Sequence, residues 1–167
     1  MSYKCLLFVV NELGYFVSHR LPIAAAAQKS DYFVHIAYGE IGKVSRDSLI
    51  SQGFKLHHVP IKRGGTNPFI DFLSGFMLWR LFRRLQPNLV HLITIKPVLY
   101  GGIAARLARV PAIVSAMPGL GFIFIEKKNF KFLFLRLVVK LLFRFVIGHP
   151  QQVLIFQNSD DRDEVLA

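Results

Sequence analysis

Lys96 follows the apolar run Leu89 to Ile95 directly, and Gly119 and Gly121 follow the apolar run Ala112 to Ala116 almost as closely. A cation and a Gly-x-Gly turn so placed stand where buried strands release their chain. Such positions suit holding a phosphate or a developing anion, and glycine lets backbone approach it closely. Pro97 favours a fixed turn behind Lys96, although a solvated loop lysine fits the same residues. A third candidate is the segment Asn11 to Val17, read as a loop, with Gly14 and Tyr15 at its centre. Gly14 offers close approach there, and a helix opening near Ser18 would aim free N–H groups at the same space, with His19 beside them. A tight turn followed by a helix-start histidine fits these residues equally.

The remaining histidines do not group. His35, His57, His58, His91 and His149 lack metal-ligand spacing, and His57 and His58 must point to opposite faces of a strand. They read as structural or surface residues, and no metal or cofactor is called for. Cys5 is the one cysteine and lies within an apolar run, so it forms no disulfide framework and suits a reducing compartment.

Those side chains need elements to position them, and the chain alternates strand and helix throughout. Lys4 to Val10, Phe33 to Ala37, Phe54 to Val59, Leu89 to Ile95, Ala112 to Ala116 and Val153 to Phe156 are short apolar runs. Continuous rather than alternating runs are what strands covered on both faces require. Between them lie an Ala-rich helix over Ser18 to Lys29, a short helix over Val44 to Gln52 closed by Gly53, and an amphipathic helix from about Phe69 to Leu85 ended by Pro87. A Gly-started helix carrying Arg106 and Arg109 precedes the fifth strand. The pattern predicts a Rossmann-like α/β/α domain whose six-stranded parallel sheet has the order 3-2-1-4-5-6, with ligands at the strands' carboxyl ends. Ser159 to Glu164 reads as a helix start, so the chain reads as the front part of something longer.

At 167 residues the chain makes one domain, with 53% hydrophobic residues and 21 Lys and Arg against 10 Asp and Glu, a net charge of +11. That field draws polyanions, nucleic acid or an anionic membrane leaflet, unless it serves solubility alone. Nucleic acid is disfavoured because the phenylalanines sit in apolar runs and no recognition-helix, zinc or RNP-type pattern accompanies the charge. The membrane reading rests on a helix over Asn129 to Ile147. Its Arg136, Lys140 and Arg144 form one stripe beside more Phe and Leu than a sheet face can cover. These charges forbid spanning, so the helix is expected to lie on a membrane.

Five segments, Gly14 to Ala24, Thr66 to Phe69, His91 to Gly102, Gly119 to Phe124 and Ile155 to Asp161, resemble in order the amino-terminal domain of family 4 glycosyltransferases of GT-B fold. The likeness is nearest to bacterial enzymes that build undecaprenyl-diphosphate-linked or lipopolysaccharide glycans, including O-antigen. It implies that residues 1–167 form one acceptor-binding half, peripheral at the inner face of the plasma membrane. The nucleotide-sugar donor would be bound by a second domain, whose paired glutamates this sequence does not contain. It implies a cleft position for His19, which with Lys96 is a catalytic candidate. Gly14, Tyr15, His19, Lys96, Gly119 and Gly121 become the expected acceptor or phosphate contacts. The sequence departs from the family at Pro118 and Gly119, where many members carry His-Gly, so no base is assigned there. The alternative is a non-catalytic membrane-docking module that recruits a separate donor-binding chain.

Overall fold

The computed structural model describes residues 4–62, 64, 67–117, 141–157 and 162. Its strands are β1 (Lys4–Glu12), β2 (Tyr32–Glu40), β3 (Lys55–His58), β4 (Leu89–Ile93), β5 (Ala112–Met117) and β6 (Gln152–Phe156). All pair in parallel, and the sheet order is β3-β2-β1-β4-β5-β6, as the alternation predicts.

Successive side chains of each strand serve opposite faces, which gives the sheet two cores. Leu7, Val9, Val90 and Leu92 pack beneath Leu78, Leu81 and Phe82 of α4 (Pro68–Leu85), Ala104 and Ala105 of α5 (Gly102–Ala108), and Phe143 and Val146 of a helical stretch over residues 141–147. Leu6, Phe8, Val10, Val34, Ile36 and Tyr38 pack on the other face. They meet Leu13 and Phe16 of α1 (Leu13–His19), Ala24 of α2 (Leu21–Lys29) and Leu49 of α3 (Arg46–Ser51). Helices thus cover both faces, and fully burying one side chain such as Phe8 contributes about 2–3 kcal/mol.

Three expectations change at the strands' carboxyl ends. The segment Asn11 to Val17 is not a loop: β1 runs through Glu12 and α1 begins at Leu13, because Leu13 and Phe16, three apart, both reach the core. The helix expected over Ser18 to Lys29 is two helices meeting at Arg20. Pro22, within the first two positions of α2, has no N–H and would clash with the carbonyl four residues earlier in a continuous helix. β4 ends at Ile93 rather than Ile95, and Lys96 leads into a π-helical turn, Pro97–Gly101, not an open loop.

α4 is capped at both ends. The Asn67 side chain accepts hydrogen bonds from the amides of Phe69 (3.1 Å) and Ile70 (3.3 Å), Pro68 takes the first turn, and Gln86 (φ 45°) turns the chain out before Pro87. Gly119, Gly121, Arg136 and Lys140 lie outside the described residues, as do all of the helix expected after Ser159 except Arg162 and the Asn129 to Ile147 helix before residue 141. No described helix is long and apolar enough to cross a membrane.

Candidate functional site

The sheet order puts a crevice between β1 and β4, the neighbours from which the chain winds in opposite directions, and ligands of doubly wound sheets lie at that place. Val9 is the last β1 residue paired with β4, opposite Leu92. Counting onward by the same register sets Asn11 opposite Thr94. Both carry a buried oxygen, Asn11 Oδ1 and Thr94 Oγ1, with no hydrogen-bond partner among the described residues. Asn11 is only 8% exposed, so its amide oxygen forgoes water as well. An unmet buried acceptor costs about 1–3 kcal/mol, a cost that a bound hydroxyl would remove.

Thr94 is also strained. Its φ of 75° is a left-handed conformation that β-branched residues avoid, at a cost of about 1–3 kcal/mol. The backbone is held on both sides: the Thr94 amide donates to the Ala116 carbonyl at 3.0 Å, and the Thr94 carbonyl accepts from the Val98 amide at 3.0 Å. An amide oxygen and a hydroxyl at the ends of these neighbouring strands are chemically able to accept from sugar hydroxyls, and the hydroxyl can donate to a phosphate oxygen.

Glu12 caps the start of α1 by position, but its side chain makes no capping bond. Its carboxylate lies along Gly14 and Gly42 instead. A Cβ on Gly14 would stand 2.9 Å from Oε1, and one on Gly42 (φ 67°) would run into the same oxygen. Gly14 is therefore the second residue of a helix, and the group that comes close to it is Glu12. Further along α1, Tyr15 and His19 stack with centroids 4.2 Å apart, and His19 Nδ1 is 2.6 Å from Ser18 Oγ. If the Ser18 hydroxyl donates to the Gly14 carbonyl at 3.0 Å, His19 must donate from Nδ1, which leaves Nε2 able to accept a proton.

Lys96 Nζ bonds Asp71 Oδ1 at 3.0 Å, tying the end of β4 to the first turn of α4. Tyr100 donates to the same carboxylate. Burial first, then the Asp71 charge and hydrogen bond, push the Tyr100 hydroxyl far above its usual range, so it stays protonated.

Against this geometry stand the matches to known proteins. Residues 5–157 fit the family described as glycosyl transferase 4-like. The chain belongs to that family. A relative of this glycosyl transferase 4-like chain in Campylobacter jejuni is 25% identical over 143 residues. It is named N,N'-diacetylbacillosaminyl-diphospho-undecaprenol alpha-1,3-N-acetylgalactosaminyltransferase. The match covers 84% of this chain but only 37% of that protein. Among solved structures, MurG of Acinetobacter baumannii aligns with a TM-score of 0.54 at 19% identity, over 68% of this chain and 35% of MurG. The UDP-GlcNAc 2-epimerase of Methanocaldococcus jannaschii aligns with a TM-score of 0.57 at 13% identity, over 98% of this chain and 42% of the epimerase. At such identities the likeness to solved structures is one of fold, and the fold is the Rossmann-like half expected of a GT-B protein.

Of the expected site residues of this glycosyl transferase 4-like chain, Gly14 stands beside the crevice at the start of α1, and Lys96 follows Thr94 by two positions. His19 ends α1, six residues or roughly 9 Å of helix beyond Leu13. Asn11 and Glu12 lie inside the candidate segment Asn11 to Val17, where Gly14 stood out instead, and Thr94 lies inside the run Leu89 to Ile95 and was not singled out. A polar residue at the carboxyl end of an apolar strand is the signal that could have found them.

Four of the other histidines, His35, His57, His58 and His91, make ring contacts within the sheet. His57 Nε2 meets His35 Nδ1 at 2.9 Å across β2 and β3, while His58 packs edge-on against Tyr38 on the other face. No three His, Cys, Asp or Glu among the described residues are grouped to hold a metal. His91 stacks on Phe8 with centroids 5.2 Å apart and its buried Nε2 has no hydrogen-bond partner among the described residues; burial, and next the Arg20 charge, push it down to about 4. The unfolded chain then binds a proton that the folded chain refuses between about pH 6.5 and 4. Stability present above that window falls as pH drops through it. Between pH 7.5 and 5 His91 should cost about 2 kcal/mol, and urea unfolding of His91→Leu should show a pH slope flatter by that amount. An unchanged slope would mean that His91 does not carry this proton linkage.

Proposed function

We propose that this chain is the acceptor-binding half of a glycosyltransferase that moves a sugar from a nucleotide-sugar to a lipid-linked glycan. The observation that carries the reading is the pair of unmet buried oxygens, Asn11 Oδ1 and Thr94 Oγ1, at the sheet's ligand crevice in a glycosyl transferase 4-like chain. In this reading they hold the acceptor's sugar hydroxyls. Glu12 and His19 are the nearby proton acceptors for the attacking hydroxyl, and Lys96 approaches the acceptor's diphosphate. The relative's printed name includes a diphospho-undecaprenol, which supports a lipid-linked acceptor. Because the chain spans 37% of that relative, a second domain or chain supplies the donor site.

Peripheral membrane attachment belongs to the same proposal. Arg144 is exposed at the described end of the proposed interfacial helix, next to exposed Leu141 and Phe145.

The test is calorimetric titration of the 167-residue protein with a short-chain prenyl-diphosphate-linked saccharide. Asn11→Ala/Thr94→Val should bind it about 10- to 100-fold more weakly, since each hydrogen bond contributes about 0.5–1.5 kcal/mol. The fold should be unharmed, because removing unmet polar atoms leaves no new orphan. The protein alone should turn over no UDP-sugar. Equal binding by wild type and the double variant overturns the site, and transfer by the purified 167-residue protein overturns the half-enzyme reading.

A further inference from the structure

α4 has an outer face that the described residues leave uncovered. At about 100° per residue, Ser74, Leu78, Leu81, Phe82 and Leu85 fall on the side facing the sheet. Phe69, Phe72, Leu73, Phe76, Arg80 and Arg83 fall within about a 100° arc on the opposite side. The burial agrees with the wheel. Leu78 is fully buried, whereas Phe69 is 76% exposed, Phe72 74% and Phe76 43%. Arg80, Arg83 and Arg84 are exposed as well. A water-facing helix ordinarily carries polar residues on that arc; here three phenylalanines occupy it, followed within one or two turns by three guanidiniums.

The apolar surface extends sideways. Phe72, Phe76 and Trp79 of α4 face Tyr100, Ile103 and Leu107 across a groove of about 380 Å³, and Leu107 on its far wall is 61% exposed. Contiguous exposed aromatics of this kind mark a surface built for an apolar partner. Neighbouring arginines then decide which partner, because they match phosphates and repel a second copy of an already cationic chain of net charge +11.

We propose that this face of α4 seats in the interface of an anionic bilayer, with Phe69, Phe72 and Phe76 in the acyl boundary and Arg80, Arg83 and Arg84 at the phosphates. The inference deepens the lipid-linked-acceptor reading and rests on it for its purpose. Asp71 lines the groove beside this face and is bonded to Lys96, two residues past Thr94, so a lipid-borne diphosphate held at the face would reach the crevice along the groove.

Trp79 is the chain's single tryptophan and lines the groove, so tryptophan fluorescence reports on what occupies it. With phosphatidylglycerol vesicles its emission should shift to the blue and be quenched by brominated acyl chains, while phosphatidylcholine vesicles should produce little of either. Phe69→Ser/Phe72→Ser should weaken vesicle binding at least tenfold. Arg80→Glu/Arg83→Glu should remove the preference for anionic vesicles, on the order of 100-fold at low salt. All four positions are exposed, and a thermal melt checks that each variant folds. Vesicle binding without Trp79 quenching would overturn the assignment, as would equal binding by the variants or a lipid-free dimer that shields Trp79. Affinity for the short-chain acceptor should be unchanged in the phenylalanine variant. Its loss there as well would overturn the separation of membrane face from acceptor site, whereas loss of acceptor binding in Asn11→Ala/Thr94→Val alone tests the crevice independently.

Discussion

Gly39→Ala should cost more than about 3 kcal/mol, enough to unfold much of the population of a marginally stable domain. Gly39 sits near the end of β2, where a Cβ would lie 2.7 Å from the Asn11 carbonyl oxygen and would overlap the Ile61 carbonyl outright. Both obstacles are backbone, so neither can turn aside as a flexible side chain would. Asn11 belongs to the central strand β1, and Ile61 is buried between β3 and α4. Accommodating one methyl group therefore displaces two elements and the crevice with them. Gly64→Ala is the matched control. A Cβ there meets nothing within 4 Å, and its effect should stay within about 0.5 kcal/mol. Urea midpoints followed by circular dichroism compare the two, and similar midpoints would show that the end of β2 yields more easily than its packing indicates.

The sheet was legible from apolar runs because burial on both faces removes the alternation that other strands carry, and the order of six parallel strands followed from chain connectivity. What escaped was set by contacts remote in sequence. Gly14 invited a loop reading since glycine is a poor helix former, yet the burial of Leu13 and Phe16 outweighs a propensity cost of about 1 kcal/mol. Thr94 gave no sign of its left-handed backbone, because that conformation is imposed by bonds to Ala116 and Val98. Asp71 and Lys96 are 25 residues apart on different elements, and no local pattern announces their pairing. The outer face of α4 was present in the sequence as Phe69, Phe72 and Phe76. It went unread because aromatic residues at helical spacing look like core until the sheet-facing side is known.

Lys96→Met should destabilise the chain by about 2–4 kcal/mol. The side chains of Lys96 and Asp71 are 17% and 14% exposed, so truncating the lysine strands a mostly buried carboxylate. Removing one partner of a buried pair costs about 3–5 kcal/mol, and the remaining exposure lowers that here. Tyr100 continues to donate to Asp71 but cannot neutralise it, since its own proton is held tightly. Lys96→Met/Asp71→Leu should recover most of the loss by removing both charges. The recovery would fall short by about 0.5 kcal/mol, the favourable placement of Asp71 in the first turn of α4. Unfolding of the two singles and the double closes a thermodynamic cycle whose coupling, the sum of the two single losses less that of the double, should be at least about 2 kcal/mol. The double variant also separates two roles of the lysine. Once it folds as well as wild type, its affinity for the prenyl-diphosphate acceptor should still be about tenfold lower, because the proposed phosphate contact is gone. Full affinity would make Lys96 a fastener between β4 and α4 and nothing more.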